Sequence, residues 1–201
     1  MSITKKSLLL IFLVLLVDQI SKIYIKMNFA LGDHVDVFSW FQIYFIENNG
    51  MAFGMEIIGK LFLTIFRIIA VGALVYYIRF LIKKQVSTGY ILTVSLVLAG
   101  AAGNIIDSVF YGLLFSDSYG QIATFLPSSG GYASLFHGKV VDMLYFPLIR
   151  NGAGETIFFS PIFNIADSAI SVAVVIMLLF YRKELNESLE SKKETDVEPT
   201  K

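Results

Sequence analysis

Four carboxylates, Asp18, Asp107, Asp142 and Asp167, stand out, because each lies in or beside a long apolar run. Asp18 and Lys22 are four residues apart near the end of the first run, so on a helix they share a face and can pair. Asn104 and Asp107 close the third run, three apart, after Gly100, Ala101, Ala102 and Gly103; small residues of this kind let another helix approach closely. Asn164 and Asp167 open the last run with the same spacing, and Asp142 stands just before it in Lys139-Val140-Val141-Asp142. A charge at bilayer depth costs about 2.5–3.5 kcal/mol on insertion scales, which makes each of these carboxylates a functional candidate. Simpler roles fit some of them. Asp18 with Lys22 is equally a helix-end ion pair with a snorkelling lysine, and Asn104 with Asp107 is equally a structural hydrogen-bonding pair.

Asp142 and Asp167 suggest a definite chemistry if they meet, which sequence spacing leaves open. Two adjacent carboxylates cannot both ionise, so they share a proton and their titrations separate. The ionised member then takes a proton from water, and the protonated member donates to a peptide carbonyl and its leaving amine. Other nucleophiles fare worse. The chain has no cysteine and no Gly-x-Ser-x-Gly motif, and adjacent Ser21 and Lys22 would point apart on a helix. With two histidines, His34 and His137, a metal cluster is not expected, and no cofactor is implied.

The elements that position these groups must cross a membrane. Of 201 residues, 56% are hydrophobic and 16% charged, with a mean hydropathy of +0.70; soluble domains carry about 25% charged residues. The 16 basic and 16 acidic residues cancel, leaving no basic surface for nucleic acid. A spanning helix needs roughly 20 apolar residues, and segments near 7–25, 60–82, 90–112 and 161–181 qualify. The first follows Lys5 and Lys6 like a signal peptide but lacks a small-x-small cleavage site, so it reads as an uncleaved helix. On this reading Asp167 lies about two turns inside the fourth helix. Arg79, Lys83 and Lys84 between the second and third spans put that loop in the cytoplasm by the positive-inside rule. Both termini are then cytoplasmic, and the segments 27–59 and 113–160 lie outside.

Those outer segments carry structure of their own. Residues 35–46 are rich in β-branched and aromatic types and end at Glu47-Asn48-Asn49-Gly50, which predicts a strand-turn-strand piece at the interface. Residues 116–138, rich in Ser and Gly, read as a surface excursion, and 143–149 as a short amphipathic interfacial piece. One domain over 1–182 with a charged, disordered cytoplasmic tail at 183–201 is expected. The fold class is mainly α and integral to the membrane: four transmembrane helices, a small extracytoplasmic β cradle and a short interfacial helix.

In order along the chain, Asp18-Gln19 with Lys22, Asn48-Asn49-Gly50-Met51-Ala52-Phe53, Gly103-Asn104 with Asp107, Val140-Val141-Asp142 and Phe163-Asn164-Ile165-Ala166-Asp167-Ser168 resemble the motifs of the lipoprotein signal peptidases (signal peptidase II). The likeness covers about residues 7 to 181. It implies an aspartic endopeptidase of the bacterial cytoplasmic (inner) membrane with Asp142 and Asp167 as catalytic pair. Asp18, Lys22, Asn48, Gly50, Asn104, Asp107, Asn164 and Ala166 fall on supporting positions. The implied substrates are prolipoproteins whose lipobox cysteine carries a diacylglyceryl group, cut on the N-terminal side of that cysteine near the outer face. The implied inhibitors are globomycin-type cyclic peptides. The likeness also implies a periplasmic cradle over 35–56 and an amphipathic interfacial helix over 143–160. A monomer is the default expectation.

Two departures matter. Ser108 stands where the family pattern has an arginine, and the connection from Asp107 to Asp142 is long, with Ser116 to Gly138 as an insert that is either a lid or tolerated surface. The runner-up function is a small proton- or ion-coupled transporter using the buried carboxylates as a relay. It would need polar groups through the inner halves of the last two spans, which carry only isolated hydroxyls, and no inverted repeat is evident. A non-enzymatic scaffold would leave the ordered motifs unexplained.

Overall fold

The protein is described by a computed structural model covering residues 1–49, 59–150, 152, 156–158 and 160–187. The first three expected spans appear as long apolar helices. They are α1 (Ile3–Asn28), α2 (Lys60–Lys83) and α3 (Thr88–Ile106), the last continuing through a π turn (Asp107–Tyr111) into the short α4 (Gly112–Leu114). All three are long and apolar enough to cross a membrane. Their outward faces expose Phe12, Leu16, Phe62, Phe66 and Ile69, a pattern that suits lipid rather than water.

The fourth helix differs from its expected bounds. It runs from Ile165 to Phe180 as α5, not from 161. At about 1.5 Å per residue it spans roughly 24 Å, and a further helical stretch follows at 182–187. The rest of the expected tail, 188–201, lies outside the described residues. The start is late because Ile162–Phe163 forms strand β6, pairing antiparallel with β3 (Val140–Tyr145) through Leu144↔Phe163. Asn164 then caps the helix in a capping box with Asp167. Asp167 therefore stands in the first turn rather than two turns inside.

A four-stranded antiparallel sheet has the order β1-β2-β3-β6, with β1 at His34–Phe38 and β2 at Phe41–Asn48. The hairpin turns at Ser39–Trp40, earlier than the expected Glu47–Gly50 turn, because β2 runs on to Asn48 to pair with β3. Gly50 and the expected cradle residues 50–56 lie outside the described residues. The interfacial helix expected over 143–160 is replaced, among the described residues, by the end of β3 and a separate hairpin of β4 (Ile149–Arg150) and β5 (Thr156–Phe158). Val140, Val141, Asp142 and Met143 are all buried, and a strand whose two faces are both covered has no amphipathic helical stripe to present. Stacked rings of Phe38, Trp40, Phe146 and Phe163 run along the sheet toward α5.

Close packing of α3 against α1 and α5 depends on its small residues. At Gly100 a Cβ would collide with the Ala166 carbonyl, and at Gly103 it would lie 2.7 Å from Asp18 Oδ2 and 3.1 Å from Ala166 Cβ. Gly72 on α2 has open space there. Gly103→Ala should therefore destabilise the protein by about 1–3 kcal/mol, the usual cost of overpacking. Gly72→Ala should leave stability unchanged or slightly raised through helix propensity. Thermal unfolding in detergent followed by Trp40 fluorescence would separate the two; an equal response at both positions would be inconsistent with the packing described.

Candidate active site

Lys22 joins the elements. Its side chain is fully buried, and the ammonium contacts Asp18 Oδ2 at 3.0 Å, Asp107 Oδ2 at 2.8 Å and Asn104 Oδ1 at 2.9 Å. An ammonium has three donors, so all are used. The two carboxylates carry the contact outward. Asp18 Oδ1 accepts from the Ala166 amide of α5 at 2.9 Å, and Asp107 Oδ2 accepts from the Val141 amide of β3 at 3.2 Å. Gln19 ties both carboxylates together at 3.0 and 2.9 Å, and itself accepts from the Tyr111 hydroxyl at 3.1 Å. The π turn gives Asp107 and Tyr111 the facing they need toward α1. Such turns are frequent at functional sites.

One step from this hub, Asp142 and Asp167 come together from different elements. Asn104 Nδ2 donates to Asp167 Oδ1 at 2.7 Å, and Asn164 Nδ2 donates to Asp142 Oδ1 at 2.7 Å. The two amides also meet, Asn164 Nδ2 lying 3.1 Å from Asn104 Oδ1. Asn48, at the end of β2, gives Asp142 a further side-chain hydrogen bond. The two carboxylates differ in setting. Asp142 is 1% exposed on β3; burial, reinforced by the charge of Asp167, pushes its carboxyl up to about 7. Asp167 is partly exposed and lines an open cleft with Pro161, Phe163, Ser168, Ser171 and Val172. A buried acid beside a solvent-facing one is the asymmetry that a shared-proton pair needs.

Asp18, Lys22, Asn104, Asp107, Asn164, Ala166 and Asn48 thus all lie within the network that holds the pair, and Gly50 lies outside the described residues. Several residues that sequence reading passed over belong to the same region. Lys26, fully buried, pairs with Glu47 and donates to the Ser118 hydroxyl at 2.9 Å, and its ammonium lies 4.9 Å from the Tyr132 ring centre. Lys139 reaches Glu47 Oε2 at 3.2 Å, and its amide donates to the Tyr132 hydroxyl at 2.6 Å. Ser118 and Tyr132 come from the 116–138 insert, which therefore packs against β2 and α1 rather than standing off as surface. Lys26 and Glu47 were visible as charges beside apolar runs, but nothing in their spacing links them to residues about 90 positions away.

Comparison with known proteins agrees with this architecture. Residues 10–182 match the family model described as Signal peptidase (SPase) II. The lipoprotein signal peptidase of Porphyromonas gingivalis is 47% identical, the match covering 96% of this chain and 92% of that protein. That of Amoebophilus asiaticus is 32% identical over 92% of this chain and 81% of its own. A bacterial membrane enzyme solved by the in meso method at 1.9 Å superposes with a TM-score of 0.62 at 28% identity, covering 89% of this chain and 94% of its own. With the family model spanning most of the chain and a relative of nearly equal length almost half identical, this chain belongs to the signal peptidase II family of bacterial membrane peptidases.

Proposed function

We propose that the protein is a membrane-embedded aspartic endopeptidase that removes the signal peptide from diacylglyceryl-modified prolipoproteins, with Asp142 and Asp167 as its catalytic pair. The observation that carries this reading is the convergence of the two carboxylates from β3 and α5 through the amides of Asn104 and Asn164. Asp142, buried and titrating at about 7, holds the shared proton. Asp167, facing the cleft, accepts a proton from water as the water oxygen attacks the scissile carbonyl carbon. Asp142 passes its proton to the carbonyl oxygen. When the gem-diol intermediate collapses, the C–N bond breaks, the proton on Asp167 goes to the leaving amine, and one hydroxyl returns its proton to Asp142 as the C=O re-forms. Asn104 and Asn164 hold the carboxyl groups in register throughout, which matters because small displacements of reacting groups are costly in rate.

The cleft suits a lipid-bearing substrate. It begins at Phe163, the end of the aromatic row, and continues along Ser168, Ser171 and Val172 of α5. An acyl chain can therefore stay in lipid against α5 while the peptide lies on the sheet. Lys83 and Lys84 at the α2–α3 link favour the cytoplasmic side for that end, and this supports an orientation with the sheet and the pair at the outer interface. A transporter would need the polar chain to continue inward. α5 beyond Ser171 reads Val172-Ala173-Val174-Val175-Ile176-Met177, which offers no relay.

Asp142→Asn and Asp167→Asn should each lower cleavage of a diacylglyceryl-modified prolipoprotein by at least about 10²–10⁴, the usual worth of a general acid or base, with membrane insertion kept. A gel-shift assay in detergent checks this; retained turnover in either variant removes the pair. The unmodified prolipoprotein should stay uncut by wild type. The pH profile follows from Asp142. The proton donor is present below its pKa and lost above it, so kcat/KM should fall as pH rises through about 7. A rate that stays level from pH 6 to 9, a window about that value, would mean that Asp142 does not supply the proton.

A further inference from the structure

The end of β2 meets the catalytic pair through Asn48, whose side chain hydrogen-bonds Asp142. That contact depends on strand register. β2 and β3 pair Gln42 with Tyr145 and Ile43 with Leu144. The register then shifts, so that Ile46, Glu47 and Asn48 stand opposite Asp142, Val141 and Val140. The shift leaves one extra residue on β2, a bulge, and three paired residues of β2 follow it. Side chains alternate between the two faces of a strand. Asn48 and Asp142 are therefore diagonal neighbours on one face, and Glu47 and Lys139, the residue before β3, are diagonal neighbours on the other. A slip by one residue would withdraw the Asn48 amide and turn the Glu47 carboxylate toward Asp142.

A second buried charge cluster, on the far face from Asp142, opposes such a slip. The Glu47 side chain is 2% exposed; it pairs with the fully buried Lys26 of α1 and with Lys139 at 3.2 Å. The 116–138 insert closes around all three. Ser118 donates to Glu47 Oε1 at 3.2 Å and accepts from Lys26 at 2.9 Å. The Tyr132 hydroxyl accepts from the Lys139 amide at 2.6 Å, and the Lys26 and Lys139 ammonium groups lie 4.9 and 5.5 Å from its ring centre. Tyr132 is anchored in turn, its amide donating to the Phe115 carbonyl at 3.0 Å. Glu47 thus cannot move along the strand without leaving a buried charge short of its partner.

We propose that Glu47 is a positioning residue for Asp142: clamped by Lys26, Lys139 and the insert, it fixes the register of the end of β2 and so holds the Asn48 amide on the Asp142 carboxyl. This rests on the aspartic-peptidase reading above. It also gives the insert a task in the reaction, as the outer half of a brace that ends one residue from an Asp142 ligand.

The test is a double-mutant cycle on the diacylglyceryl-modified prolipoprotein. It measures kcat, KM and thermal unfolding for wild type, Glu47→Gln, Asn48→Ala and the double variant. Glu47→Gln should lower kcat by about 10–100-fold with KM nearly unchanged, within what a misplacement of about 1 Å can cost. Because Glu47 acts through Asn48, adding Glu47→Gln to Asn48→Ala should cost nothing further. A structural role alone would lower the unfolding temperature and multiply the two losses, which overturns the proposal. Folded Glu47→Gln with wild-type kcat overturns it too. If Glu47→Gln does not accumulate in the membrane, Lys26→Met combined with Glu47→Leu decides, since apolar residues often replace a buried ion pair without loss of stability. Folded enzyme with lowered kcat, unchanged KM and no further loss on adding Asn48→Ala supports the register role; wild-type kcat rejects it. Failure of wild type to cut would instead reject the peptidase reading itself.

Discussion

A lysine ammonium buried completely between helices is the constraint that the rest of the site obeys. Lys22 can stay charged there only because Asp18, Asp107 and Asn104 take all three of its donors. Losing any one would leave a buried charge short of a partner, which costs several kcal/mol in comparable cases. The carboxylates that satisfy it are themselves held by backbone amides of β3 and α5. One cation therefore fixes the relative placement of α1, α3, β3 and α5, and these are the elements that bring Asp142 and Asp167 together. The small residues of α3 serve the same end. Gly103 lies directly against Asp18 and Ala166, where any side chain would open the contact.

The pair inherits its asymmetry from secondary structure. Asp142 sits on a strand covered on both sides, with Ile46 of β2 opposite it, so burial and a neighbouring carboxylate raise its proton affinity. Asp167 stands in the first turn of a helix at the edge of a cleft, where its own backbone environment is a capping box. Identical side chains thus stand in different surroundings.

The long connection between Asp107 and Asp142 is structural in a way its composition hides. Its later part closes on the π turn and the start of α4, with Ala133 N bonded to Gly112 O and Gly138 N to Ser108 O, and it supplies Ser118 and Tyr132 around the buried Lys26. Lys26 and Lys139 converge on Glu47, the residue before Asn48. Successive strand residues face opposite ways. The insert therefore clamps one face of the end of β2 while Asn48 on the other reaches Asp142.

Much of this was legible in the sequence. Long apolar runs could only be spans, and the i, i+3 and i, i+4 spacings of Asn104 with Asp107 and Asp18 with Lys22 guaranteed shared faces, because helical geometry is local. Ordered motifs pointed to the family. Other features depended on pairing between distant segments, which local pattern does not encode. The strand character of 143–145, in place of the start of the interfacial helix expected over 143–160, comes from β2 on one side and β6 on the other. The late start of α5 comes from that same β6 pairing, which holds residues 162 and 163 extended. Sequence determined which residues had to be buried and which faces they shared. The tertiary structure decided which of them meet, because a buried charge is satisfied by whatever partner the packing brings, however far away it lies in the chain.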